Sequence, residues 1–139
     1  MKPSVLLRVA SVLTLIFCAG HTYGALGASL HDPEQAAVYM AMQAFPFEIM
    51  GSRRTHWDFY RGFSLLFSVS LLLLAVLLWQ LAALAKRDPA GVRPFVGSLL
   101  LAYLGFTILC GVYFFMAPAV FSAAVAVCLA LAFNSARTG

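Results

Sequence analysis

Four long apolar runs hold most of this chain, and its charged residues fall almost wholly between them. The runs extend from about Val5 to Leu26, about Gly62 to Ala85, about Pro94 to Met116 and about Pro118 to Phe133. The hydrocarbon core of a bilayer is about 30 Å thick and takes about 20 mostly apolar helical residues to cross. Hydrophobic residues make up 63% of the 139 and charged residues 10%, whereas a soluble domain carries about 25% charged residues. A water-soluble fold is thereby excluded. In lipid the backbone must satisfy its own polar groups, so only helices and closed barrels can span. No run alternates with the period of two that a barrel strand needs. The chain therefore reads as one all-α domain, residues 1–139, folded as a four-helix transmembrane bundle.

The fourth run is the shortest and is rich in small residues: Ala119, Ser122, Ala123, Ala124, Ala126 and Ala130. The stretch from Tyr113 to Pro118 contains no charge. Together the third and fourth runs hold about 40 apolar residues, too many for one crossing, and they read as a tight helical hairpin.

Charge distribution gives the topology. Lys2 and Arg8 flank the first run, Lys86, Arg87 and Arg93 lie around the second connection, and Arg137 follows the fourth run. Lysine and arginine near span ends mark the cytoplasmic side, so both termini and the 86–93 connection are expected there. The opposite side sets Arg53, Arg54 and Arg61 against Asp32, Glu34, Glu48 and Asp58. The net charge of +4 is accordingly an insertion signal rather than a nucleic-acid footprint. The first run also has the basic start and apolar stretch of a signal peptide, but its small-residue cleavage site near Gly24–Ala28 is poor. A retained span is the reading taken, with cleavage the alternative. Cys18, Cys110 and Cys128 all lie inside apolar runs, an odd and scattered set that suits buried free thiols and neither a disulfide framework nor a zinc site.

The connection from about Gly27 to Arg61 is unusually apolar. Asp32-Pro33-Glu34 has the form of a helix start, with an N-cap, proline at the first helical position and an acid in the first turn. Ala37, Met40, Ala41 and Ala44 follow at helical spacing. A short interfacial helix over about residues 33–45 is expected in this outer loop. Pro46 ends it, Gly51-Ser52 makes a turn, and Thr55-His56-Trp57-Asp58 resembles a capping box opening the second span.

Polar and aromatic groups concentrate at the outer ends of the first two spans. On the first, Gly20 and Gly24 form a GxxxG pair suited to close helix approach, and Thr14, Cys18 and His21 share a neighbouring face. On the second, Trp57, Arg61, Ser64 and Ser68 make a stripe running inward, and Asp58 and Arg61 are spaced to pair. A third stripe, Tyr103, Thr107 and Cys110, reads first as a source of interhelical hydrogen bonds that hold the bundle, and faces His21 and Ser68 if the hairpin of the third and fourth runs packs against them. Gln80 and Asn134 are lone amides near the other ends of their spans. Ionisable groups at membrane depth are costly and mark functional sites by default. His21, Tyr23, Trp57, Asp58, Tyr60 and Arg61 are therefore the candidate ligand-binding set, Arg61 holding the head of a lipid or quinone-like amphiphile and Asp58 orienting it. The bland alternatives are a histidine at a helix packing point and a charged helix start that snorkels to the headgroups. An accessory subunit packing through small-residue faces against copies or partners is the second reading. A membrane enzyme using His21 and Asp58 as acid and base is the third. No metal site is expected, and no cofactor is indicated.

The strings from Gly20 to Gly24 and from Thr55 to Val69 (THWDFYRGFSLLFSV) also resemble those of a group of small bacterial four-span membrane proteins. That likeness, a first helix ending GHT-x-G and a second opening WDFY-x-GF, implies a bacterial inner-membrane location. It brings no established activity.

Overall fold

A computed structural model describes residues 1–27 and 33–136. In chain order the elements are α1 (Pro3–Leu26), α2 (Pro33–Ala44), β1 (Phe47–Ile49), β2 (Ser52–Arg54), α3 (His56–Leu84), α4 (Pro89–Tyr113) and α5 (Met116–Ser135). Four helices, α1, α3, α4 and α5, are long and apolar enough to cross a membrane, and the short helix lies between the first two of them. The expected fold class holds: an all-α, multi-pass integral membrane protein. His31, Asp32 and Arg137 lie outside the described residues, so the N-cap expected before α2 does too.

Helix starts are set by capping chemistry rather than by where hydropathy begins, and two differ from expectation for that reason. Helix α3 starts six residues before the apolar run. The Asp58 carboxylate accepts the Thr55 backbone N–H at 2.8 Å and its hydroxyl at 2.9 Å, while the Asp58 N–H returns to Thr55 Oγ1 at 3.2 Å. This reciprocal pair satisfies N–H groups that no helical carbonyl can reach. Asp58→Ala is expected to fray this first turn, read as faster amide exchange at Thr55 and Asp58 with exchange in the body of α3 unchanged.

Helix α4 starts at Pro89, not at Pro94. Asp88 is its N-cap, its carboxylate accepting the Gly91 N–H at 2.8 Å, and proline fits the first helical position because its missing N–H would be unpaired there anyway. Asp88-Pro89 repeats the pattern of Asp32-Pro33, which is the signal that marks this start. Pro94 then lies inside the helix. Helix α5 gains a turn over the expected run, for 20 residues, with Pro118 early enough that its ring costs no helical hydrogen bond.

The turn near Gly51 proves to be a small antiparallel hairpin, pairing Phe47 with Arg54, Glu48 with Arg53 and Ile49 with Ser52. Met50 and Gly51 both take positive φ, 50° and 77°, as a two-residue hairpin loop with the right twist requires. Methionine is a poor residue for that conformation, so the sequence signal is weak.

The chain forms two compact units, Met1–Cys18 with Leu71–Gly139, and Ala19–Ser70. In the first, one core joins Leu7 and Ala10 of α1, Leu78 and Ala82 of α3, Val92, Val96 and Tyr103 of α4, and Val125 and Leu129 of α5. Since lipid tails are as apolar as leucine, close packing and buried hydrogen bonds hold such a core. Ser11 Oγ donates to the Ala75 carbonyl at 2.6 Å. Thr14 Oγ1 donates to the Ala10 carbonyl at 2.8 Å and so accepts the Tyr103 hydroxyl at 2.7 Å. Helices α4 and α5 meet where Gly97 leaves room for the Phe133 ring. There Arg93 lies over that ring, 4.0 Å from its centroid, and donates through Nε to the Phe133 carbonyl at 3.3 Å. A cation is thus placed on the carbonyl end of α5, where the helix dipole favours it. Among the described residues no buried side-chain nitrogen or oxygen lacks a partner.

Candidate functional site

The second unit contains the end of α1, all of α2, the hairpin and the first half of α3. A ladder of hydrogen bonds ties α1 to α3. His21 Nε2 lies 3.0 Å from the Ser64 carbonyl oxygen; a carbonyl only accepts, so Nε2 carries the proton and donates. One position on, Thr22 Oγ1 donates to Ser68 Oγ at 2.9 Å, and Ser68 Oγ to the Ser64 carbonyl at 3.2 Å. The edge of the His21 ring also meets Phe67 at 5.0 Å. His21 is therefore a half-buried cross-link between two helices.

Around the start of α3 the aromatics fall into two rows. Phe47 of the hairpin packs on His56 at 5.0 Å and on Phe59 at 5.7 Å, docking the hairpin over the first turn. In the other row Tyr39 of α2 meets Trp57 edge-on at 5.1 Å, and Trp57 stacks on Tyr60 at 5.6 Å. Tyr39 turns toward α3, whereas Ala37, Met40, Ala41 and Ala44, the face picked out by sequence, are exposed. Both sides of α2 are thus apolar, and none of its residues is buried.

Of the six candidate residues, four gather and two do not. Successive residues advance about 100° round a helix, so Trp57, Tyr60 and Arg61 all lie within about 60° of Ser64, the residue His21 grips. Arg61 is exposed and has no hydrogen bond or ion pair with any described residue. Asp58 lies about 120° round from Ser64, its carboxylate spent on Thr55 and not on Arg61. Tyr23, two positions after His21, points to the other side of α1 and is 81% exposed. His21 and Asp58, each held in its own structural hydrogen bonds, do not make an acid–base pair with one another. Tyr39 escapes sequence reasoning because its partner comes from another helix, which no local spacing encodes.

The third expected stripe finds different partners. Tyr103 meets Thr14 and not His21. Thr107 Oγ1 donates back to the Tyr103 carbonyl at 2.8 Å, and Cys110 lies near Ser122, whose hydroxyl donates to the Pro118 carbonyl at 2.8 Å. Tyr103 is thus placed by Thr14, two turns before His21 on the same face of α1. None of the three cysteines is in a disulfide. Among the described residues no three of the metal-binding types cluster. A cleft of about 420 Å³ opens in the first unit between the ends of α3 and α4, with Gln80 in its wall. No family model, curated protein or solved structure matches the chain, so its own geometry carries the functional argument.

Proposed function

We propose that this is a protein of the bacterial inner membrane, both termini cytoplasmic, that binds a lipid or quinone-like amphiphile at its outer end. The observation that carries this reading is an unpaired Arg61 beside the Tyr39–Trp57–Tyr60 stack. An arginine at membrane depth is costly without an anionic or polar partner, and aromatic faces offer a ring or tail a flat apolar surface. The site is narrower than the six residues suggested by sequence: Trp57, Tyr60 and Arg61 on α3, Tyr39 from α2, with His21 locking α1 in place through Ser64. Tyr23 and the exposed apolar side of α2 serve instead as interfacial anchors. The likeness to small bacterial four-span proteins supports the location.

Native mass spectrometry of gently extracted protein tests this, wild type beside Arg61→Ala. A co-purifying amphiphile, reduced at least tenfold in the variant, is the expected result; one good charge-assisted contact is worth about that much. A ligand-free protein in both samples overturns the proposal. It would then favour the accessory-subunit reading, for which Gly20, Gly24 and Gly105 speak, since a Cβ at any of them would meet nothing within 4 Å.

A further inference from the structure

We infer a second lipid site, distinct from the first, in the cleft between the end of α3 and the start of α4, and the geometry points to an anionic glycerophospholipid as its occupant. Leu77, Leu81 and Leu84 of α3 and Phe95 and Leu99 of α4 line the cleft, with Gln80 and Ser98 the polar positions. Its volume of about 420 Å³ falls in the ligand-sized range of about 300–1,000 Å³.

Three observations select the occupant. The first is the accounting of charge at this end of the helices. Arg8 is laid over Trp79, 4.6 Å from the ring centroid, and Arg93 is spent on Phe133. Asp88, the acid of the connection, is spent on Gly91. Lys2, Lys86 and Arg87 remain exposed and have no side-chain partner among the described residues, and of these Lys86 and Arg87 follow directly on the lining helix α3.

The second is register. Main-chain bonds from Arg87 and Asp88 to the Leu84 carbonyl, 2.9 and 3.0 Å, carry the turn beyond α3. Leu77, Gln80, Leu84 and Arg87 therefore continue one face, at the spacing i, i+3, i+7, i+10. The free guanidinium belongs to the residue that ends the lining stripe.

The third is Gln80. Its amide, exposed in the wall of a mostly apolar cleft, has no hydrogen-bond partner among the described residues; an amide facing hydrocarbon is costly unless paired. Ser98 is already satisfied, its hydroxyl donating to the Pro94 carbonyl at 3.2 Å. Gln80 lies about 10 Å along the helix from Arg87, and the long Arg87 stem, laid back along the apolar lining, brings its guanidinium within one glycerophospholipid headgroup of that amide. Phosphate on Arg87 and Lys86, ester carbonyl on Gln80 and acyl chain along the leucines answer all three. Basic pockets between spans on the cytoplasmic side bind anionic headgroups in this way.

The test reconstitutes the full chain into nanodiscs of phosphatidylcholine with increasing phosphatidylglycerol and measures retained lipid by native mass spectrometry. Wild type is expected to retain phosphatidylglycerol over phosphatidylcholine by at least tenfold, as two interfacial cations supply. Lys86→Gln with Arg87→Gln is expected to abolish that preference. Gln80→Leu is expected to weaken retention of both lipids, and Ser98→Phe to remove both by filling the cleft. Lys2→Gln removes an exposed cation at the start of α1, outside the cleft lining, and is expected to retain phosphatidylglycerol as wild type does, which separates a built site from general surface charge. A wild type without preference, or a Lys86/Arg87 double variant that retains phosphatidylglycerol unchanged, overturns the proposal.

Discussion

Tyr103→Ala is expected to cost about 3–5 kcal/mol, the range for removing a large buried aromatic side chain. Tyr103 is fully buried, 0% exposed, with its ring edge against Phe106 at 5.5 Å and its hydroxyl on Thr14. Tyr103→Phe separates the two contributions. Hydrogen bonds between membrane helices average about 0.6 kcal/mol, and Thr14 keeps its bond to the Ala10 carbonyl without the tyrosine. The phenylalanine variant is therefore expected to lose under about 1 kcal/mol. Reversible unfolding in mixed micelles measures both. Equal losses in the two variants would show that the hydroxyl, rather than packing, holds the four helices together.

Gly97→Leu carries the second large effect, because one substitution disturbs three contacts. A Cβ at residue 97 would lie 3.1 Å from Cε2 of Phe133, so the ring must move. That ring supports Arg93, and Arg93 covers a carbonyl at the end of α5. Overpacking of this kind costs about 1–3 kcal/mol, and loss of the Arg93 contact adds to it. Gly97→Leu combined with Arg93→Ala should therefore cost less than the sum of the two single changes, since the leucine already displaces what the arginine holds. Strict additivity in the same micelle assay would show that Phe133 adapts without releasing Arg93.

Several features of the site are legible in the amino-acid sequence. The stripe Trp57, Arg61, Ser64, Ser68 follows from helical spacing alone, and Ser64 and Ser68 are indeed where α1 attaches. The Thr55–Asp58 box is legible because capping is a local exchange of hydrogen bonds over three residues. By contrast, the pairing of Asp58 with Arg61 is permitted by spacing but loses to that same box: the carboxylate takes backbone and hydroxyl donors already in place and leaves the arginine unpaired. The hairpin is obscured by Met50, a residue that seldom takes positive φ. Tyr39 on Trp57 and Arg93 on Phe133 join residues far apart in the chain, and no periodicity predicts such meetings.

The residues by themselves determined that the chain enters a membrane, how many helices can cross it, and which ends carry the polar and aromatic groups. Those properties depend on transfer free energies and helical period, which are local sums over neighbouring residues. Tertiary structure alone decided which polar groups are already spent. His21, Arg8 and Arg93 are consumed by contacts within their units, while Arg61, Arg87 and Gln80 keep unused hydrogen-bonding capacity among the described residues. That distinction rests on distances between side chains brought together by packing.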